Sequence, residues 1–124
     1  WKKAPEAYLG TTLSGFPNFF MLVGPNTGLG HSSIIFMIEA QVQYILDYIQ
    51  KVRKNGYKYL NVKPKAEEAF NQKIQTQMKD TVWNTGCVSW YQNDKGINTS
   101  LWPSFTFDFR RQTRKVREED YEMV

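Results

Sequence analysis

Histidine and cysteine are almost missing from this chain: its 124 residues hold one of each, His31 and Cys87. A single cysteine closes no internal disulfide and builds no paired-thiolate zinc site, and a single histidine excludes multi-histidine metal centres. A reducing compartment is the matching expectation, and with it a cytoplasmic location. Long apolar runs are also lacking. Glu39, Gln41, Gln43 and Asp47 interrupt the longest candidate before it reaches the ~18 residues that a membrane span needs. No secretory leader pattern is visible, and the chain opens on Trp1 rather than methionine, which reads as a fragment. Charge is not gathered into one block: 16 basic and 12 acidic residues leave a net +4 spread along the chain, which disfavours nucleic acid as a partner. There is no G-x-S-x-G elbow, so a hydrolytic triad built on His31 has no scaffold. These absences assign neither a catalytic residue nor a metal ligand.

Hydrophobic residues make up 41% of the chain and aromatics 15%, enough for one packed domain. "AYLGTTL" (7–13) is β-leaning and "SGFPN" reads as a turn. "FFMLV" (19–23) is an unbroken apolar run, which predicts a strand covered on both faces. From 32 to 54 a stripe of Ile34, Ile35, Ile38, Val42, Ile45, Leu46, Ile49 and Val52 predicts a long amphipathic helix, capped by Ser32 or Ser33 and closed at Gly56. "YKYLNVK" (57–63) suits a strand, and Pro64 suits the first turn of a second amphipathic helix over 65–83. "CVSWYQ" and "INTSLW" flank "NDKG" as a hairpin. A short helix and a loose acidic end are expected after Pro103. The fold class is α/β with mixed α+β content: two amphipathic helices, a strand between them and a C-terminal hairpin. The segment divides at 56 into strand, glycine turn and long helix (1–56), then strand, helix, hairpin and tail (57–124).

The stretch "FFMLVGPNTGLGHSS" (19–33) carries the most chemistry. A glycine-rich turn between a strand and a helix gathers free N–H groups and the positive end of the helix dipole, which suits an anion or an electron-rich ring. As a dinucleotide fingerprint the match is poor: Gly28-x-Gly30-x-x-Ser33 lacks the third glycine, and Asp47 and Asp80 fall inside predicted helices. On residues alone, a structural turn and a ligand-holding turn both stay open. Glu67 and Glu68 read as helix-start carboxylates with a structural role. Arg110, Arg111 and Arg114 read as a solvated or salt-bridged face. Trp83, Trp90, Tyr91 and Trp102 read as core or hairpin packing before ring stacking.

The stretch "YLGTTLSGFPNFFMLVGPNTGLGHSSIIFMIEAQVQYI" (8–45), with its E-A-Q on the helix, resembles the C-terminal part of flavin-dependent monooxygenases of the Baeyer–Villiger type, and "CVSWYQNDKGINTSLWP" (87–103) is similar to a further piece of the same region. The resemblance implies that the segment closes an FAD-binding, Rossmann-like domain of a protein that uses FAD and NADPH to insert one oxygen of O2 into a ketone or a soft heteroatom. It implies flavin-facing roles for Asn26, Thr27, Gly28, Leu29 and Gly30, with His31 beside them, and an NADP-contacting role for Trp90. The partners implied are the missing N-terminal part of the same protein and a small-molecule substrate. The segment alone is then inactive and self-associates through apolar faces such as Phe19 to Val23. The competing reading is a free-standing anion- or nucleic-acid-binding module.

Overall fold

The structure is a computed structural model and describes residues 5–28, 33–79, 97 and 99–124. Its elements run β1 (Thr12–Leu13), β2 (Phe16–Phe20), α1 (Ile34–Asn55), β3 (Leu60–Val62), α2 (Pro64–Lys79), α3 (Thr106–Gln112), a 3-10 turn (Glu118–Asp120) and β4 (Tyr121–Met123). The strands form two antiparallel pairs, β1 with β2 and β3 with β4. Mixed helix and sheet content is therefore as expected. Among the described residues the only parallel backbone pairing is the single bridge between Gly28 and Leu101.

α1 ends as its sequence dictates. Gly56 takes a left-handed conformation (φ 69°), and its N–H returns to the last turn, while Arg53 and Lys54 place positive charge at the negative end of the dipole. Pro64 opens α2, where its missing N–H costs nothing. Near that start Glu67 accepts the Ser14 N–H at 2.7 Å and so pins the turn between β1 and β2. Burial holds the Glu67 carboxyl above its ordinary pKa, partly offset by that bond. The role is structural.

Three expectations need correction. The strand over 19–23 is shifted: β2 covers Phe16–Phe20, and Phe19, Leu22 and Val23 are exposed, because the chain bends after Met21 and Val23 adopts φ 55°. "SGFPN" is a turn only at Ser14 and Gly15, its remainder forming the start of β2. The acidic end is not loose. β4 pairs residue for residue with β3, Val62 facing Tyr121, and buries the Tyr121 ring. The hairpin expected around "NDKG" and the helical reading of 80–83 lie outside the described residues.

The core holds one more departure. α1 buries Met37, Ala40, Gln41, Tyr44 and Tyr48, not its aliphatic stripe. Ile35, Val42, Leu46 and Ile49 stand on the surface, Ile35 being 61% exposed. The buried face packs Tyr44 and Tyr48 with Tyr8, Leu60, Val62 and Tyr121 in one cluster, and Met37 and Ala40 with Ile74, Trp102 and Phe109 in another. Edge-on rings join Tyr48 to both Phe20 and Tyr121, and Trp102 to Phe109. The helical period predicts the element. It does not say which of two apolar faces this chain buries.

Candidate functional site

The loop ahead of α1 is built by close backbone approach. Gly24 lies so near the Gly10 carbonyl that a Cβ would come within 2.2 Å of that oxygen. At Gly10, with φ +61°, a Cβ would come within 2.1 Å of the Thr27 methyl. At Gly28 it would sit 2.6 Å from the Ser100 carbonyl. Three segments distant in sequence thus pack main chain against main chain, which only glycine permits. Asn26 tolerates its left-handed φ of 58° better than most residues, but Leu9 (φ 54°) and Val23 (φ 55°) are aliphatic and strained there. Such strain persists only where surrounding contacts over-determine it.

Those contacts converge on Gln41. Its side chain is fully buried on α1, and its Nε2 donates to the Gly10 carbonyl (3.0 Å), the Thr11 hydroxyl (3.0 Å) and the Met21 carbonyl (3.3 Å). Its Oε1 accepts the Val23 N–H at 2.9 Å. One amide therefore ties both strained stretches to the helix. Reading the sequence by hydropathy treats Gln41 only as an interruption. A glutamine flanked by apolar helix positions, in the E-A-Q triplet beside a glycine loop, was the available signal.

The sequence-predicted residues fall into two groups. Asn26, Thr27 and Gly28 are brought together in the loop. The Asn26 N–H donates to Thr99 O (2.9 Å) and its Nδ2 to Leu101 O (2.9 Å), while the Gly28 N–H donates to Ser100 O (2.7 Å) and its carbonyl accepts from Trp102 N (2.9 Å). Thr27, fully buried, closes the turn by donating its hydroxyl to Gly24 O at 2.7 Å. The amides of Asn26 and Gly28 are thus committed to the chain's own backbone at 99–101. Leu29, Gly30, His31 and Trp90 lie outside the described residues.

At the front of α1, Ser33 holds the N-cap position with extended backbone. Its side chain makes no capping bond, and no acidic residue stands in the first turn. This corrects the expected Ser33 cap; Ser32 is outside the described residues. Neither Ser33 nor a first-turn carboxylate offsets the partial positive charge at this end. Among the described residues no group of histidine, cysteine and carboxylates is arranged to hold a metal ion, and no helix is long and apolar enough to cross a membrane.

No family model matches the chain. Individual proteins do. A Baeyer–Villiger monooxygenase of Streptomyces coelicolor is 47% identical over the whole chain, and one of Pseudomonas aeruginosa 45%; in each case the chain spans 24% of the relative's length. Over its whole length the chain matches a segment of Baeyer–Villiger monooxygenases. An FAD-binding monooxygenase of Aspergillus niger is 37% identical over 98% of the chain, which spans 21% of that protein. The family's fold is matched as well. A cyclohexanone monooxygenase from Rhodococcus sp. Phi1, bound to NADP+, superposes over the full chain with a TM-score of 0.82 at 26% identity, the chain covering 23% of it. A steroid monooxygenase bound to NADP reaches 0.86 at 22% identity, with 24% of that protein covered, which speaks for the fold alone. The segment thus spans about a quarter of the relatives it matches.

Proposed function

We propose that the full-length protein is an FAD- and NADPH-dependent monooxygenase that inserts one oxygen of O2 into a ketone or a soft heteroatom of a small molecule, and that this segment presents the front of α1 to the edge of the flavin ring. FAD supplies the redox chemistry when bound. The segment's own contribution is electrostatic. The reduced ring carries negative charge along one edge, and a helix N-terminus aimed at it contributes about 0.3–1 kcal/mol through the dipole alone, more where water is excluded.

The observation that carries this reading is the front of α1: an extended Ser33 with no side-chain cap and no first-turn carboxylate, behind a loop tied down by Gln41 and three glycine contacts. A site meant for an anionic ring edge needs that combination of free positive potential and fixed backbone. Because Asn26 and Gly28 spend their amides on Thr99 and Ser100, their part is to hold the loop. Direct contact with the ring falls to Leu29, Gly30 and His31 in this proposal, and contact with NADP to Trp90. The full-chain match to FAD-binding and NADP-bound relatives supports the choice of cofactors.

The remaining three quarters of the protein would supply the rest of the FAD site, the NADPH site and the substrate pocket. The exposed aliphatic face of α1 is the surface against which that remainder would pack. Purified as the complete gene product, the protein is expected to be yellow and to consume NADPH faster when a ketone is added. A colourless preparation that leaves NADPH untouched with flavin, O2 and a panel of ketones and thioethers present would overturn the proposal.

A further inference from the structure

One cavity lies away from the loop before α1 and takes no lining residue from that helix. It encloses about 540 Å³ between residues 8–9, α2, the stretch from Arg111 to Arg117, and Asp120. That volume falls within the range of small-molecule pockets, roughly 300–1,000 Å³. Its apolar wall is Tyr8, Ala66, Ala69 and Phe70, with the Tyr8 and Phe70 rings 5.5 Å apart and tilted. Its polar lining is strongly one-sided in charge. Lys73, Arg111, Arg114, Lys115 and Arg117 contribute five cations against the single carboxylate of Asp120.

The carboxylate is already in use. Asp120 accepts the Tyr8 hydroxyl proton and lies 3.8 Å from Arg117 Nε. Arg117 is also paired with Glu119, and Arg111 with Asp108. Lys73, Arg114 and Lys115 have no ion pair among the described residues. Three cations without an ion pair among the described residues therefore share one opening with an aromatic wall.

We propose that this cavity binds a soluble phosphomonoester with a ring-sized apolar body, the phosphate among Lys73, Arg114 and Lys115 and the body against Phe70 and Ala69. Two negative charges match clustered lysine and arginine better than a single carboxylate does, and guanidinium groups suit phosphate geometry. The apolar wall explains why a bare anion is not enough. Neither the flavin reading nor the α1 front enters this assignment.

Phenyl phosphate, titrated calorimetrically into the full-length protein, is the direct probe, with inorganic phosphate and phenol as its two halves. Saturable binding of phenyl phosphate at one site, tighter than either half, is expected. Lys73→Glu with Arg114→Glu should weaken it by about tenfold or more, the scale of losing one charge-assisted hydrogen bond. Ala69→Trp, which fills the apolar wall from an exposed helix position, should weaken it to a similar degree. Melting temperature and flavin absorbance should stay unchanged in both variants, and if one variant unfolds the other still decides. Absence of saturable binding overturns the proposal, as does binding indifferent to the substitutions that fold, or inorganic phosphate binding as tightly as phenyl phosphate.

Discussion

The two apolar faces of α1 invite a direct comparison. One carries Met37, Ala40, Gln41, Tyr44 and Tyr48 and is buried within the segment; the other carries Ile35, Val42, Leu46 and Ile49 and is exposed. By hydropathy the aliphatic face is the better core. Yet the face that this chain buries is rich in hydroxyl and amide groups, each with a partner: Tyr44 with Tyr121, Tyr121 with Thr12 at 3.0 Å, Tyr48 with the Leu60 N–H at 2.9 Å, and Gln41 with the loop. Buried polar groups specify one arrangement because each needs a particular partner, whereas aliphatic surface accepts any apolar cover of suitable shape. The tyrosine face sets the internal geometry of the segment, and the aliphatic face is the one that we propose the remainder of the protein covers.

Four measurements bear on that contrast, each made by urea titration on the 124-residue chain and on the full-length protein in parallel. Tyr44→Ala should have the largest effect, about 3–5 kcal/mol in both, as expected for truncating a fully buried aromatic. Gln41→Leu should follow at about 2–3 kcal/mol, because the Val23 N–H and the carbonyls of Gly10 and Met21 lose a buried partner. It should also perturb flavin absorbance in the full-length protein if the loop lies where we propose. An unchanged spectrum together with an unchanged stability would separate Gln41 from the site.

Alkaline titration comes next. Burial raises the tyrosine pKa values of Tyr8, Tyr44 and Tyr121, with the Asp120 hydrogen bond adding to the shift at Tyr8. The folded state thus holds these protons more tightly than the unfolded chain does. Their stabilising contribution is complete below the ordinary tyrosine pKa of about 10 and declines as pH climbs above it. A stability profile flat from pH 9 to 11 would contradict the buried tyrosine cluster. The smallest effect in the segment is expected from Leu46→Lys, within about 0.5 kcal/mol, as for other surface changes. In the full-length protein the same change should cost more than about 2 kcal/mol if the aliphatic face is covered there. Equal values in the two would mean that this face stays exposed. The segment alone should elute as a concentration-dependent oligomer, and the Leu46→Lys chain as a smaller species.

What was legible in the residues follows the range of the forces involved. Helix ends depend on local chemistry, so Gly56 and Pro64 mark α1 and α2 correctly. The choice of buried face depends on partners at long range, Tyr121 for Tyr44 and Leu60 for Tyr48, and no local period contains that information. β4 was read as loose for the same reason: "YEM" gains its strand conformation from β3, some sixty residues earlier. At the candidate site, glycine placement pointed to a loop of close backbone approach, and the structure gives that spacing a reason within the chain itself. Gly28 is small so that the chain's own Ser100 carbonyl can approach. Gln41, the residue that organises the loop, is one of several polar residues on α1 but lies on its buried face, and only the three-dimensional meeting of residues 10, 21 and 23 gives it meaning.

The stitch between Asn26 and Leu101 joins residues 75 positions apart. Closing so long a loop is entropically demanding and belongs to the slow, non-local part of folding. On a ribosome adding about 5–20 residues per second, the glycine loop would wait several seconds for its partner segment at 99–102 to emerge. Under the proposed function, cofactor capture through this loop would be a late event in the birth of the protein, and a nascent chain stalled before Thr99 would carry α1 without the contacts that Asn26 and Gly28 make to residues 99–102.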